Sequence, residues 1–228
     1  MLNEGSPVEP RPAASVLLTR GRDPWRLVMM RRPGGAEFAP SAYVFPGGSL
    51  HAEDHDFADP NRSAAVRELF EEVGILLARR RSGRLAADAD CRRLRAALAG
   101  GLSWTAALAA GGLAPAFDRL VFLARWITPE LVRRRFDTRF FLARRPAGQG
   151  VHPQPGEVEE VVWVSPAEAL REGGPVLVYA TRRILESVAP ERDLGRLIAR
   201  LRRRRRESPP VRARVVPLGD GGWRVIQD

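Results

Sequence analysis

Three glutamates, Glu68, Glu71 and Glu72, are the residues of this sequence whose spacing best suits chemistry. On a helix, positions i, i+3 and i+4 share one face, so these carboxylates should converge. Like charges at this spacing destabilise a bare helix, so we expect a compensating positive charge. Mg²⁺ or Mn²⁺ is suited to this role, because hard cations select carboxylate oxygens and share their coordination shell with water and phosphates. The alternative is an acidic surface helix paired with arginines.

A glycine turn precedes this helix. Tyr43 to Phe45 is a brief β-compatible run that Pro46-Gly47-Gly48 should stop. Because glycine has no Cβ, another group can approach this backbone closely. The turn is therefore a second candidate element of a functional site.

The two elements together resemble the Nudix box, which reads glycine, five residues, glutamate, seven residues, then Arg-Glu-apolar-x-Glu-Glu-x-Gly-apolar. The segment from Arg67 to Ile75 matches every specified position of the second half. The first half differs. Counting from Gly48 places the acidic position at Asp54, with twelve residues before Arg67, whereas counting back from Arg67 places it at Asp59. We favour Asp54, although the spacing leaves both open.

The resemblance implies a Nudix-type α/β/α sandwich of the α/β (α+β) class, with a mixed central sheet. It also implies that Glu68, Glu71 and Glu72 bind Mg²⁺ or Mn²⁺, with the Gly47 carbonyl as a further ligand. Arg67 would hold the loop against the helix through a bidentate contact with a carboxylate of the box. The implied activity is hydrolysis of the diphosphate of a nucleoside diphosphate linked to another moiety.

The substrate is less well indicated. Phe-x-Gly-Gly followed by an acidic residue and an enlarged spacer is similar to the peroxisomal acyl-coenzyme A diphosphatase branch, as is the run from Arg135 to Phe141. Coenzyme A or acyl-coenzyme A is therefore one candidate. ADP-ribose, NADH and dinucleoside polyphosphates stay open. A non-catalytic Nudix-like module that binds a nucleotide or nucleic acid is the competing class.

A general base should complete the site. Glu157, Glu159 and Glu160 precede a β-like run, and we favour Glu157 because Pro153 to Gly156 indicates a loop that could move over a site. Among other candidate contacts to substrate are Arg32 and Arg139, which could meet phosphate oxygens.

Phe45, beside the glycine pair, is a further candidate contact to substrate.

Periodicity and turn residues predict the elements that position these groups. We expect a helix capped by Ser63 that begins at Ala64 and ends at Gly74, and a helix from Leu194 running into Arg202 to Arg206. The other predicted elements are strands at 14–19, 26–30, 120–127, 138–143, 160–164 and 211–216, two short helices within 87–110, and a helix at 166–170.

The chain should form one domain with a core at about 14–170, a helical insertion at about 85–115 and a C-terminal helical and strand extension at about 180–228. The insertion and extension could supply a homodimer surface.

The net charge of +10 comes from arginine alone, which indicates compositional bias more than a nucleic-acid partner. A single cysteine, Cys91, and the absence of an apolar segment of membrane-spanning length predict a cytoplasmic protein with no membrane partner.

Overall fold

The structure is a computed structural model that describes residues 8–204, 207–218 and 223–227. Two arginines of the predicted basic run, Arg205 and Arg206, lie outside these residues. Across the described ranges, no helix has both the length and the apolar composition needed to cross a membrane.

A mixed sheet forms the centre of the molecule. The strands of the described residues are β1 Arg11–Arg20, β2 Arg26–Arg31, β3 Tyr43–Val44, β4 Gly47–Ser49, β5 Ala78–Arg80, β6 Leu113–Pro115, β7 Val121–Ile127, β8 Phe136–Arg144, β9 Glu160–Val164, β10 Val211–Pro217 and β11 Trp223–Gln227. The strand order of the sheet is β11-β10-β7-β8-β1-β2-β3, with β4 paired to β1 and β9 paired to β2, while β5 and β6 form a separate pair.

Strand β1 lies in the middle of this sheet. It runs parallel to β8 along nine residue pairs, and its other edge pairs antiparallel with β4 and then with β2. Residues 13–19 are all buried, as expected for a strand covered on both faces. Val16 and Leu18 pack on one face, and Leu17 packs on the other.

Helices cover both faces of the sheet. They are α1 Pro60–Val73, α2 Asp88–Ala99, α3 Trp104–Ala110, α4 Pro166–Leu170, α5 Tyr179–Val188 and α6 Leu194–Arg202, with short 3₁₀ turns at Ala52–Asp56 and Phe117–Arg119. On one face α1 packs with the insertion, where Phe70 contacts Trp104 at a ring-centroid distance of 5.9 Å. On the other face Ile184 of α5 and Leu197 of α6 are buried. The architecture is therefore the predicted α/β/α sandwich.

Two local predictions need correction, and one helix was not predicted. Helix α1 begins at Pro60, because Asp59 caps it by accepting the Arg62 N–H, and Ser63 lies inside the helix. The glycine turn does not simply stop a strand, since Gly47–Ser49 is itself a strand paired with β1. Helix α5 was missed, although its buried residues recur at helical spacing: Thr181, Ile184, Leu185 and Val188.

Candidate active site

Helix α1 presents its glutamates to strand β4. The Gly47 N–H donates to Glu72 Oε2 at 2.7 Å. A Cβ on Gly48 would lie only 2.5 Å from Glu68 Oε1, so glycine is required for this approach. The predicted proximity of the glycine turn to the carboxylate helix is therefore present.

The ends and the apolar face of α1 fix its orientation. Pro60 occupies the first turn, where its missing N–H costs nothing, and Gly74 ends the helix with φ +78° in the left-handed region. The face opposite the glutamates is buried against the sheet and the insertion, as predicted: Val66, Leu69, Phe70 and Val73. Burial of this face directs the glutamates toward β4.

Arg67 is a buried guanidinium, 1% exposed, that ties the loop to the helix. Its Nη2 lies 2.9 Å from Asp54 Oδ2 and 2.9 Å from the Ser49 carbonyl oxygen. Its Nη1 lies 2.9 Å from Glu68 Oε1 and 2.8 Å from Glu71 Oε2. The predicted contact between Arg67 and carboxylates of the box is present, and it supplies part of the positive charge that the glutamates need.

Asp54 is the acidic partner of Arg67 in the loop. It is 0% exposed and accepts from Ser63 Oγ at 2.8 Å and from the His51 N–H at 2.9 Å. Asp59 instead caps α1. The structure thus distinguishes the two aspartates, and it reveals a role for Ser63 that residue spacing did not suggest.

Burial raises the pKa of all three glutamates. Desolvation is the main cause for Glu72, whose pKa lies well above its ordinary value, and repulsion from Glu68 adds to it. Desolvation also raises the pKa of Glu68 to about 7, against the opposing effect of Arg67. Desolvation is also the main cause of the raised pKa of Glu71. The cluster is therefore short of positive charge even with Arg67 in place.

This shortage and the donor chemistry fit a divalent cation. Carboxylate and carbonyl oxygens are the ligands that Mg²⁺ and Mn²⁺ prefer. Within the described part of the chain, no three acidic, histidine or cysteine side chains already surround one cation position. Two of the glutamates contact Arg67 instead, so binding a cation requires their carboxylates to turn. Metal binding by the three glutamates and the Gly47 carbonyl stays a prediction.

Glu157 lies near the cluster. Its negative charge contributes to the raised pKa of Glu71 and of Glu72. Of its two neighbours, Glu159 pairs with Arg31 at 2.8 Å and Glu160 pairs with Arg31 at 3.3 Å. These ion pairs leave Glu157 as the member of this group whose charge acts on the box glutamates.

The loop that carries Glu157 is attached to α1 through its main chain. The His152 N–H donates to the Val73 carbonyl, and the Gln154 N–H donates to the Glu72 carbonyl, each at 2.9 Å. In this structure the segment before Glu157 is therefore held at the end of α1, where we had predicted a loop that could move over the site.

The two arginines predicted to contact substrate, Arg32 and Arg139, lie at different distances from the glutamate cluster. The charge of Arg32 lowers the pKa of Glu72, which places its guanidinium within electrostatic reach of the cluster, and its Nε donates to the Phe38 carbonyl at 2.9 Å. Arg139 instead contacts Asn61 and Glu207, partners outside the cluster. These contacts argue against the predicted role of Arg139.

The position of Phe45 differs from the one expected for a residue that contacts substrate. Phe45 is 3% exposed and packs edge-on against Phe140, with ring centroids 6.3 Å apart, on the face of the sheet away from α1. Phe45 follows directly after β3 (Tyr43–Val44), and the burial of its ring in the core argues against the predicted contact with substrate.

The α/β/α sandwich holds a carboxylate-bearing helix against a glycine turn, which is the arrangement that the resemblance to the Nudix box implies. The family model for the NUDIX domain matches residues 9–98. The match includes the glycine turn and the carboxylate helix, so this part of the chain is similar to the NUDIX domain.

Two known proteins illustrate the relationship. "Putative nudix hydrolase 7" of Caenorhabditis elegans is 33% identical over 162 residues, which are 71% of this chain and 54% of that protein. The chain thus spans about half the length of this curated relative. The crystal structure of a NUDIX hydrolase from Alicyclobacillus acidocaldarius superposes with a TM-score of 0.71 at 24% identity, covering 84% of this chain and 96% of that chain. This superposition supports the fold.

Proposed function

We propose that this chain hydrolyses the diphosphate of a nucleoside diphosphate linked to another moiety, with Mg²⁺ or Mn²⁺ as cofactor. The observation that carries the proposal is the gathering of Glu68, Glu71 and Glu72 at the glycine turn. Three partly or fully buried carboxylates with raised pKa values are costly to maintain unless a cation and substrate use them.

The roles of the residues follow from their positions. The three glutamates and the Gly47 carbonyl would hold the cation, which when bound neutralises charge on the diphosphate. Arg67 keeps the loop and helix together through Asp54. Arg32 would contact a phosphate oxygen beside Glu72. Glu157 would accept a proton from the attacking water, which forms a new P–O bond as the bridging P–O bond breaks, so the products are two phosphate monoesters.

Glu72→Gln tests the proposal. Glutamine keeps an acceptor for the Gly47 N–H but removes the charge, so turnover should fall by about 100-fold or more while the fold remains. The assay follows release of a nucleoside monophosphate with Mg²⁺ or Mn²⁺ present and with chelator added. Glu186→Gln, on the surface of α5, is the matched control and should retain activity. Full activity of Glu72→Gln would show that the cation assignment is wrong.

A second pair of variants tests Glu157 as the general base. Glu157→Gln should lower kcat by about 100-fold, the lower range for general base catalysis, with little change in KM. Glu159→Gln should affect kcat much less, because Glu159 is paired with Arg31. Rates measured across pH should lose their acidic limb in Glu157→Gln. Equal effects of the two substitutions would contradict the assignment.

At the finer level, we propose coenzyme A or acyl-coenzyme A as the substrate. The support is sequence resemblance: the enlarged spacer between Gly48 and Arg67, and the run from Arg135 to Phe141. A panel of coenzyme A, acyl-coenzyme A, ADP-ribose, NADH and dinucleoside polyphosphates decides it by comparison of kcat/KM. A preference for another member by tenfold or more would replace this substrate without affecting the hydrolase proposal.

Homodimer formation and a cytoplasmic location stay predictions. Sedimentation at several protein concentrations would measure the first. Fractionation of cells that produce the protein would measure the second.

A further inference from the structure

Gln149 is a buried glutamine, 0% exposed, in the segment that connects β8 to β9. Its amide oxygen accepts the Leu76 N–H at 2.8 Å, and its amide nitrogen donates to the carbonyls of Leu76 at 3.0 Å and Ala86 at 2.8 Å. A buried amide with these bonds holds one position, because any shift leaves buried polar groups without partners.

These bonds attach the β8–β9 connection to the framework around the candidate site. Leu76 lies two residues after the C-cap of α1, and Ala86 lies just before α2. The Arg145 guanidinium also donates to the Gln149 carbonyl, so the residue is held through side chain and main chain. Gln149 is therefore a fixed point from which the following segment starts.

The segment after Gln149 is tethered along its length. The Gly150 N–H donates to Asp88 Oδ1 of α2 at 3.1 Å. The His152 and Gln154 N–H groups then bond to the last turn of α1, each at 2.9 Å. Beyond them, Val158 is 7% exposed and joins the core on the α1 face. The exposed turn at 155–157 is thus short and anchored on both sides.

Glu157 is in this turn. The Glu157 N–H donates to the Gln154 carbonyl at 3.3 Å, so the main chain of Glu157 is bonded to the residue that is itself tethered to the helix of the cluster. The Gln154 tether ends on the carbonyl of Glu72 itself, which joins the position of the turn directly to the helix that carries the cluster.

We propose that Gln149 is a positioning residue, which holds residues 150–158 so that Glu157 stays beside Glu71 and Glu72. This inference rests on the proposed function in taking Glu157 as the base. Gln149 acts through the main chain of the segment and does not contact substrate. A displacement of about 1 Å in a catalytic group can cost about 100-fold in rate, so the clamp has a measurable effect on turnover.

Gln149→Met is the first test, because methionine has nearly the same length and lacks the amide. Hydrogen exchange should become faster in 150–158 and stay unchanged in β1 and in the centre of α1. The value of kcat should fall by about 10- to 100-fold, with KM within about twofold. Gln154→Ala is the matched control, since its exposed side chain is removed and its main-chain tether is kept. It should match the wild type.

A double-substitution cycle separates positioning from a general structural role. In a Glu157→Gln background, Gln149→Met should lower kcat by less than about twofold further, because the group it positions is already gone. If the two effects multiply, Gln149 does not act through Glu157 and the inference is overturned.

Asp88 provides a milder test in case Gln149→Met does not fold. Asp88→Ala removes the acceptor for the Gly150 N–H, and Asp88→Asn keeps it. Hydrogen exchange in 150–158 should become faster in the alanine variant and return toward the wild-type rate in the asparagine variant. The value of kcat should fall by about 3- to 10-fold in the alanine variant and recover in the asparagine variant. Unchanged exchange in Asp88→Ala, and in Gln149→Met if that variant folds, would overturn the clamp.

The exchange comparison needs no substrate. If the wild type hydrolyses no diphosphate in the panel, the proposed function fails, while exchange still decides whether the clamp exists. If the wild type is active and exchange in the variants is unchanged, the clamp alone fails.

Discussion

Among single residues, Arg67 joins the loop to the carboxylate helix through buried ion pairs. Its guanidinium is buried among Asp54, Glu68 and Glu71, and the Asp54 carboxylate has no exposure to water. A buried ion pair contributes little beyond what its desolvation costs, but loss of one partner leaves a buried charge uncompensated. The stability of the loop therefore depends on both members being present.

Arg67→Ala should lower the free energy of unfolding by about 3–5 kcal/mol, the usual cost of breaking a buried pair. Urea unfolding measures it. Arg183→Ala, which removes an exposed ion pair with Glu186, is the control and should change stability little. Equal losses in the two variants would show that Asp54 is not held by Arg67. The variant Arg67→Lys should recover only part of the loss, because lysine lacks the planar fork.

Glu68 leads to a pH prediction for the metal-free protein. Its pKa in the folded state is raised to about 7, whereas an unfolded glutamate titrates near about 4.3. As pH rises between these values the unfolded chain loses a proton that the folded chain keeps, so stability should fall by on the order of 1–3 kcal/mol. Unfolding at pH 5 and pH 8 with chelator present measures this slope.

Glu68→Gln is the matched variant for this slope, because glutamine still accepts from Arg67. It should be less sensitive to pH, and added Mg²⁺ should stabilise the wild type more than the variant at pH 8. A wild type that gains stability from pH 5 to pH 8 would contradict the assigned shift.

At the scale of elements, β4 and α1 must approach closely. A Cβ on Gly48 would meet the Glu68 carboxylate, the movable end of a side chain, whereas a Cβ on Gly47 would lie 2.4 Å from the Ala14 carbonyl oxygen. Gly48 therefore leaves room for the Glu68 carboxylate, and Gly47 leaves room for the backbone of β1. The two positions should therefore respond differently to substitution.

Gly48→Ala should fold, displace Glu68 and lower both cation affinity and kcat by about tenfold or more. Calorimetric titration with Mn²⁺ and the activity assay measure these effects. Gly83→Ala is the control, since Gly83 has φ +79° and open space around it. It should lose about 1 kcal/mol of stability and keep full activity. Unchanged cation affinity in Gly48→Ala would place the cation site elsewhere.

At the scale of the whole molecule, the C-terminal extension completes the core. Helix α6 buries Leu194, Leu197 and Leu201 on the face of the sheet opposite α1. Such burial contributes to the stability of the same sheet that positions the candidate site. We therefore expect the extension to be required for folding although it supplies no residue of the cluster.

Leu197→Ala should lower the free energy of unfolding by about 2–5 kcal/mol, because its side chain is 0% exposed. Activity well below the unfolding transition should persist, since α6 packs on the face of the sheet opposite α1. Leu102→Ala, at a leucine 45% exposed, is the control and should be nearly neutral. A negligible loss in Leu197→Ala would mean that the extension does not belong to this core.

The local features of the protein could be predicted from its amino-acid sequence. Spacing alone predicted the shared face of Glu68, Glu71 and Glu72, and Gly74 as the end of α1. Hydrophobic runs and turn residues predicted most strands within one or two residues, since each strand is specified by its own alternation and its own boundaries. Helix α5 was equally readable from its helical spacing and was missed.

The contacts between distant segments could not be predicted in this way and became evident from the packing of the fold. Counting residues could not choose between Asp54 and Asp59, because an inserted loop obscures the spacing, whereas the buried contact with Arg67 does choose. The packing also placed Phe45 in the core and bonded the loop that carries Glu157 to the end of α1. Local patterns reflect the geometry of the chain over a few residues, but these contacts depend on how complete elements pack against one another.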